Sequence, residues 1–171
     1  MKKYSFKNYF TSSSLVIKSL LKEEEKINNI INNIKNCIKK NKKILIAGNG
    51  GSSSDADHFA GELVCTYKKK SRKSIHAISL SSNSAIITAW SNDFNFSTVY
   101  ERQVSSIGNK GDLLILLSTS GGNKIKKHSI NLIKAAMQAK KMGIKVISLI
   151  GKDGGELKKI SDISIIIRSN L

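Results

Sequence analysis

Five short apolar runs, separated by segments of helical length, constrain the fold of this chain more than any other feature of its sequence. The runs lie at residues 44–47, 75–80, 113–117, 146–150 and 163–167. Strands that are apolar along their whole length are buried on both faces, which is typical of parallel sheets. Strands that alternate with helices form βαβ units. The pattern therefore predicts an α/β fold, in which helices cover both faces of a mostly parallel sheet.

The length and composition of the chain limit its domain organisation. A chain of 171 residues forms one domain, or two at most, and can build a core without disulfides. Its longest apolar stretches are far shorter than the roughly 20 residues that cross a bilayer. Cys37 and Cys65 have no CxxC spacing, which fits free thiols. We expect a cytoplasmic protein without a membrane segment, with an N-terminal helical segment at 1–42 and the α/β domain at 43–171.

Regularly spaced isoleucines mark the N-terminal segment as helical. The helical repeat places five of them on one face among polar neighbours, namely Ile27, Ile30, Ile31, Ile34 and Ile38. Such an apolar face packs either against its own domain or against a second subunit. The segment is therefore expected to serve packing or oligomerisation.

The formal charge of +17 raises the question of a polyanionic partner. The charge comes from 29 Lys and Arg against 12 Asp and Glu, but arginine occurs only at positions 72, 102 and 168. Specific nucleic-acid recognition favours the bidentate guanidinium group of arginine, whereas scattered lysines are typical of a solvated surface. We therefore do not expect nucleic acid as a partner.

A loop rich in glycine and serine, residues 48–55, follows the first predicted strand. Ligands of open parallel sheets bind beyond the carboxyl ends of the strands, where backbone N–H groups and helix N-termini are available. Ser52 and Asp55 have the spacing of a capping box that opens a helix. The loop matches neither GxxxxGK[ST] nor GxGxxG, which disfavours nucleotide binding. A ligand-binding loop and a structural glycine turn remain equally consistent with these residues.

A second polar loop follows the third predicted strand and reads Ser-Thr-Ser-Gly-Gly-Asn at residues 118–123. Three hydroxyl groups and exposed amides before a helix near residues 131–142 suit a phosphate dianion. A hydroxyl-rich turn without a ligand is the alternative. Because both loops lie at the same edge of the predicted sheet, we favour a binding site for a small phosphoester.

Two polar side chains on the helix between these loops suggest chemistry. His58 and Glu62 share one helical face, so they can act as an acid/base pair, as two metal ligands or as an ordinary helix pair. A later polar segment contains Asp93, which suits either the sugar end of a ligand or a helix cap.

Taken in order, these motifs resemble the phosphoheptose isomerases of the sugar isomerase (SIS) domain family. The matching segments are GNGGS at 48–52, HFAGEL at 58–63, NDF at 92–94, GD at 111–112, STSG at 118–121 and GKDGG at 151–155. The resemblance covers essentially the whole chain. It implies a flavodoxin-like parallel sheet, assembly into a homotetramer, and active sites near the subunit interfaces.

The resemblance also implies roles for individual residues. Glu62 becomes the general base that moves a proton between C1 and C2 of the sugar through an enediol, with His58 as its catalytic neighbour. In family members that carry zinc, the positions of these two residues supply two of the ligands. The implied substrate-binding residues are Asn49, Gly50, Gly51, Ser52, Asn92, Asp93, Ser118, Thr119, Ser120 and Asn123.

Two features of the sequence depart from the family pattern. Family members continue past the position of Leu171 into a helix that supplies a glutamine and a histidine to the site, and segment 43–171 is expected to lack that helix. The second loop is also longer than usual. A family serine therefore corresponds either to Asn123 or to Ser129.

The resemblance predicts an aldose–ketose isomerase. Its reaction would convert sedoheptulose 7-phosphate into D-glycero-D-manno-heptose 7-phosphate, for bacterial lipopolysaccharide or a related heptose pathway. The alternative is a non-catalytic SIS module that acts as a phosphosugar sensor or as an adaptor of the replication initiator. Glu62 favours the enzyme, because such an adaptor lacks a carboxylate at this position.

Overall fold

A computed structural model describes residues 5–169, so the outermost residues of the predicted segments 1–42 and 43–171 lie outside the described range. The described chain forms one five-stranded parallel sheet covered by helices on both faces, which confirms the predicted fold class. The strands are β1 (Ile44–Gly48), β2 (Ala77–Ser79), β3 (Leu113–Ser118), β4 (Lys145–Gly151) and β5 (Ile163–Ile167).

Seven α-helices connect and precede these strands within the described residues. They are α1 (Phe6–Ser19), α2 (Glu24–Lys39), α3 (Gly51–Val64), α4 (Ser84–Asp93), α5 (Val99–Ile107), α6 (Ile130–Lys141) and α7 (Leu157–Ile160). Short 3-10 helices occupy Leu20–Glu23 and Phe96–Thr98. No helix of residues 5–169 is long and apolar enough to cross a membrane.

The strand order is β2-β1-β3-β4-β5, and every pair is parallel. The chain leaves β1 towards one side, forms β2, and then returns to the other side of β1 to form β3. In this flavodoxin-like order, the β1/β3 pair is the point where the connections diverge and a crevice opens. Gly48 is in register with Leu117, so the two loops singled out in the sequence begin side by side.

Strand β2 is shorter than the apolar run 75–80 suggested. It lies at the edge of the sheet and pairs only with β1, which itself has five residues. The flanking residues still bond to β1, because His76 accepts from the Ile44 N–H and the Leu80 N–H donates to Ile46. The apolar run is therefore extended chain whose ends reach beyond the regular ladder.

Alternate side chains of the central strands enter two separate cores. In β1, Leu45 and Ala47 pack in the core that includes α5 and α6, whereas Ile44 and Ile46 pack in the core beneath α2 and α3. Burial on both faces explains why the strands are apolar along their whole length. The helix that carries the candidate acid/base pair is thereby held firmly on the sheet.

The two N-terminal helices differ in how they pack. Helix α2 brings Ile30, Ile34 and Cys37 against the second core, whereas Ile31 and Ile38 of the predicted apolar face are 41% and 39% exposed. Helix α1 has no buried residue in the described structure, and the exposed fractions of Phe10 and Leu15 are 67% and 62%. Phe10 and Leu15 of α1 are thus largely exposed in the single chain.

The loop after β3 rests directly on the loop after β4. The backbone N–H groups of Glu156 and Leu157 donate to the carbonyls of Gly122 and Gly121, at 3.1 and 2.9 Å. Gly121 has a φ of 69°, and a Cβ atom at this position would lie 1.9 Å from the carbonyl oxygen of Gly154. Both the backbone conformation and the close approach therefore require glycine at position 121.

We predict that Gly121→Ala lowers the free energy of unfolding by about 2 kcal/mol or more, because it forces the two loops apart. Gly61→Ala is the matched control, since Gly61 lies in α3 and a Cβ atom there meets nothing within 4 Å. Urea denaturation of both variants measures the difference. Equal unfolding free energies would show that the loops can separate without cost.

Asp162 links the end of α6 to the β4–β5 pair. Its carboxylate accepts from Lys140 Nζ at 2.5 Å and from the Val146 N–H at 2.8 Å. Burial alone would raise the pKa of Asp162. The hydrogen bonds from Lys140 and Val146, together with the charges of Lys140 and Lys145, outweigh that effect and hold the pKa below its usual value.

A carboxyl group whose pKa is lower in the folded state adds stability above its unfolded pKa, and this contribution is lost as the pH falls through the folded pKa. We therefore expect the unfolding free energy of the wild type to drop more steeply than that of Asp162→Asn below about pH 4. At neutral pH the variant should be less stable by about 1 kcal/mol. Parallel stability curves from thermal unfolding at several pH values would contradict this assignment.

Candidate functional site

The first loop turns sharply from β1 into α3 at Gly50. This residue is the N-cap of α3, and its φ of 56° with ψ of −125° is a conformation that suits glycine. The predicted capping box is wrong, because Ser52 and Asp55 both lie inside the helix, which starts at Gly51. Their side chains instead line a cleft at the N-terminus of the helix.

The second loop is shaped by its own hydroxyl groups. Ser118 is buried, and its Oγ accepts from the N–H of Gly121 at 3.0 Å. Ser120 Oγ accepts from the N–H of Gly122 at 3.4 Å. Each hydroxyl group acts as an acceptor in these contacts, so its hydrogen atom remains available for donation to a ligand.

The two loops enclose a cleft of about 320 Å³ at the carboxyl end of β1 and β3. It is lined by Asn49, Gly51, Ser52, Asp55, Leu117, Ser118, Thr119, Ser129 and Leu132. The structure thus brings together five of the predicted substrate-binding residues. Hydroxyl groups and the N-terminus of a 14-residue helix meet in one small cavity, and this combination suits a phosphate group.

A second cleft of about 520 Å³ adjoins the first and shares Asn49 and Ser129 with it. Between its walls Asn49 and Asn131 exchange two amide hydrogen bonds, at 2.9 and 2.8 Å. Sequence reasoning did not select Asn131 as a site residue. A buried asparagine among the apolar residues that open α6 was the signal that could have identified it.

The extra residues of the second loop fold into a small hairpin. Asn123 and His128 exchange two backbone hydrogen bonds of 2.9 Å, and Asn123 Oδ1 accepts from the Lys126 N–H. Asn123 is exposed at the base of this hairpin, whereas Ser129 lines both clefts. Of the two alternatives for the family serine, Ser129 therefore has the better position.

Asn92 and Asp93 end helix α4 and are both exposed. Asn92 Nδ2 donates to Asp93 Oδ1 at 2.8 Å, so the two side chains form a local pair. The residues that follow them closely, Asn95 and Ser97, line the larger cleft. The predicted contact of Asn92 and Asp93 with the sugar stays a prediction.

His58 and Glu62 form a pair on the outer face of α3. His58 Nε2 lies 3.3 Å from Glu62 Oε1, and the exposed fractions of the two side chains are 79% and 39%. The second carboxylate oxygen, Oε2, is buried and has no hydrogen-bond partner within the described chain. Leaving a buried carboxylate oxygen without a hydrogen bond costs folding free energy. Such an atom therefore indicates a site where a bound ligand or a partner molecule would supply the missing hydrogen bond.

The metal ligands implied by the resemblance are incomplete within the described chain. Among residues 5–169 no group of three or more His, Cys, Asp or Glu side chains could hold a metal ion. Catalytic zinc sites use three protein ligands and a water molecule. His58 and Glu62 can therefore supply only part of such a site.

Comparison with known proteins agrees with this geometry. The model of the family described as SIS domain matches residues 8–151. A phosphoheptose isomerase of Helicobacter pylori is 42% identical over 164 residues, which cover 96% of this chain and 82% of that protein. One from a Nitratiruptor species is 46% identical over 133 residues, covering 78% and 67%.

Solved structures give the same assignment. The structure of a phosphoheptose isomerase from Francisella tularensis matches with a TM-score of 0.88 at 30% identity, covering 96% of this chain and 85% of that one. The phosphoheptose isomerase of Neisseria gonorrhoeae matches with a TM-score of 0.79 at 30% identity, covering 95% and 80%. The family match and these similarities lead to one conclusion: the chain belongs to the SIS domain family and, within it, to the phosphoheptose isomerases.

Proposed function

We propose that this isomerase interconverts sedoheptulose 7-phosphate and D-glycero-D-manno-heptose 7-phosphate in the cytoplasm, as a step of bacterial heptose biosynthesis such as that of lipopolysaccharide. The single observation that carries the proposal is Glu62. It presents a buried carboxylate oxygen without a partner, next to a histidine, on the helix that begins at the phosphate-binding cleft.

The cleft between the two loops binds the phosphate group in this proposal. Ser118 and Thr119 offer hydroxyl donors, and the N-terminus of α3 offers the positive end of the helix dipole. These neutral donors hold a dianion through charge-assisted hydrogen bonds and need no lysine. The Asp55 carboxylate in the same cleft suits a sugar hydroxyl, which can donate to it.

The carboxylate of Glu62 carries out the proton transfer. It removes a proton from C1 of the ketose while the oxygen on C2 takes a proton from a water molecule, and the product is a cis-enediol. Glu62 then returns its proton to C2 while the C1 hydroxyl gives its proton back to the hydroxide left from that water, which leaves an aldehyde at C1. His58 contacts Oε1 of the carboxylate, and Oε2 is the buried oxygen that no group of the described chain satisfies.

We predict that Glu62→Gln lowers kcat by about 10²- to 10⁴-fold, because the amide keeps the shape of the side chain but cannot take up a proton. Glu25→Gln, which changes an exposed carboxylate of α2, is the matched control. Turnover is measured with sedoheptulose 7-phosphate as substrate.

Two outcomes would contradict the proposed function. Turnover by Glu62→Gln at the rate of the wild type would remove Glu62 from the chemistry. A wild-type protein that binds the phosphosugar but does not isomerise it would instead support the non-catalytic sensor or adaptor. The dissociation constant of the phosphosugar, measured by calorimetry, separates this second outcome from a simple loss of binding.

The distance between the cleft and the acid/base pair favours an active site that is shared between subunits. Glu62 follows Ser52 by ten positions in α3, and ten helical steps correspond to about 15 Å along the helix axis. An extended heptose phosphate spans only roughly 9 Å from its carbonyl carbon to its phosphorus, given bonds of about 1.5 Å. The phosphate in the cleft of one chain would therefore present its reacting carbons to Glu62 of another.

The exposed apolar surface of α1 supports the homotetramer that this arrangement needs. Phe10, Leu15 and Ile17 of α1, and Leu21 of the 3-10 helix that follows it, are all more than three-fifths exposed in the single chain, at 67%, 62%, 66% and 76%. Large exposed apolar patches mark interfaces. We therefore propose that the N-terminal segment serves oligomerisation.

Mixed oligomers test the shared site. We expect Glu62→Gln and Ser52→Asp to be inactive alone, since the new carboxylate repels the phosphate although it suits the N-terminus of α3. Co-expressed with different affinity tags and purified through both, the two variants should regain isomerase activity, because intact clefts meet intact Glu62 side chains. A doubly tagged oligomer as inactive as its parents would place the whole site within one chain.

Zinc enters the proposal only as a metal ion for which His58 and Glu62 would be two ligands. When bound there, a zinc ion would polarise the carbonyl oxygen of the substrate. The described residues provide two of its ligands, and the proton transfers above do not depend on it.

A further inference from the structure

The C-terminal end of α3 is held by the guanidinium group of Arg72, which reaches back from the following loop. Its Nη2 donates to the carbonyls of Glu62 at 2.7 Å and Cys65 at 3.0 Å. Its Nη1 donates to the carbonyls of Leu63 and Lys73, both at 2.9 Å. One side chain thus binds the carbonyls of Glu62, Leu63 and Cys65 at the end of α3, the helix that carries the proposed catalytic carboxylate.

Helix α3 needs this contact because its own sequence provides no C-cap. The last four carbonyls of a helix have no partner within it, and a left-handed glycine often closes such an end. Here the C-cap residue is Cys65, whose φ of −77° is not left-handed. The last turn also contains no basic residue. A guanidinium group supplies several donors and a positive charge at the negative end of the helix dipole.

Arg72 has little remaining capacity to bind substrate. A guanidinium group has five N–H donors, and four hydrogen bonds to backbone carbonyls are already formed. A role in phosphate binding would require it to break contacts that hold the end of α3. The guanidinium group of Arg72 therefore binds backbone carbonyls of the protein and not the substrate.

We propose that Arg72 is a positioning residue for Glu62, an inference that rests on the proposed function of that carboxylate. Glu62 lies in the last turn of α3, where helices fray unless they are capped. Arg72 binds the carbonyl of Glu62 itself, so it fixes the backbone from which the catalytic side chain projects. A displacement of about 1 Å of such a group can lower the rate by roughly 10²-fold.

Kinetics of Arg72→Ala test this inference. We expect kcat to fall by about 10- to 100-fold while KM changes little, because the substrate is still bound but the base is misplaced. Guanidinium chloride at low millimolar concentration should restore part of kcat in Arg72→Ala and none in Glu62→Gln. Lys70→Met removes a cation from an exposed position in the same loop and should leave kcat and KM unchanged.

Arg72→Lys keeps the test decisive if Arg72→Ala does not fold. The lysine retains the charge but not the planar fork, so kcat should again fall with KM preserved. A wild-type kcat in a folded Arg72 variant would overturn the inference. So would a raised KM with unchanged kcat, because that result makes Arg72 a substrate ligand.

Hydrogen exchange separates failure of this inference from failure of the proposed function. If the wild type does not isomerise sedoheptulose 7-phosphate, the proposed function fails, and the last turn of α3 is then examined directly. The Cys65 N–H donates to Gly61 at 2.8 Å and reports on this turn. Faster exchange of this amide in Arg72→Ala supports the positioning role, and unchanged exchange overturns it.

Discussion

The parallel pairing of β1 with β3 is the constraint on which the rest of the site depends. It places Gly48 beside Leu117, so that two loops distant in sequence open at one point of the sheet edge. The connection through β2 directs α3 and α6 to opposite faces of the sheet, and this leaves a crevice between their N-termini. The cleft follows from strand order, and its chemistry follows from the hydroxyl groups and amides that line it.

Packing of backbone on backbone then sets the shape of the cleft. The loop after β3 approaches the loop after β4 so closely that Gly121 has no room for a side chain against Gly154. Ser118 and Ser120 bond to amides of their own loop and hold the turn open towards the cleft. On the other side, the Asn49–Asn131 amide pair joins the first loop to α6. These contacts tie both loops of the cleft to the rest of the fold.

In the proposed function the chemistry and the binding surface lie at different ends of α3, and this separation gives the helix two roles. Its N-terminus lines the cleft, whereas its last turn carries Glu62 and is closed by Arg72. A helix of this length separates the two functions by more than an extended substrate can span, which is why oligomerisation and catalysis are coupled in the proposed function.

The sequence by itself determined the α/β class, the parallel sheet and the two polar loops, because apolar periodicity and turn residues report directly on local structure and burial. It also identified most residues that line the cleft. Only the tertiary structure decided that Gly50 and not Ser52 is the N-cap of α3, that Ser129 and Asn131 line the clefts, and that Arg72 closes α3. These contacts join residues that are distant in sequence or depend on the position of a helix start, and local patterns carry no information about either.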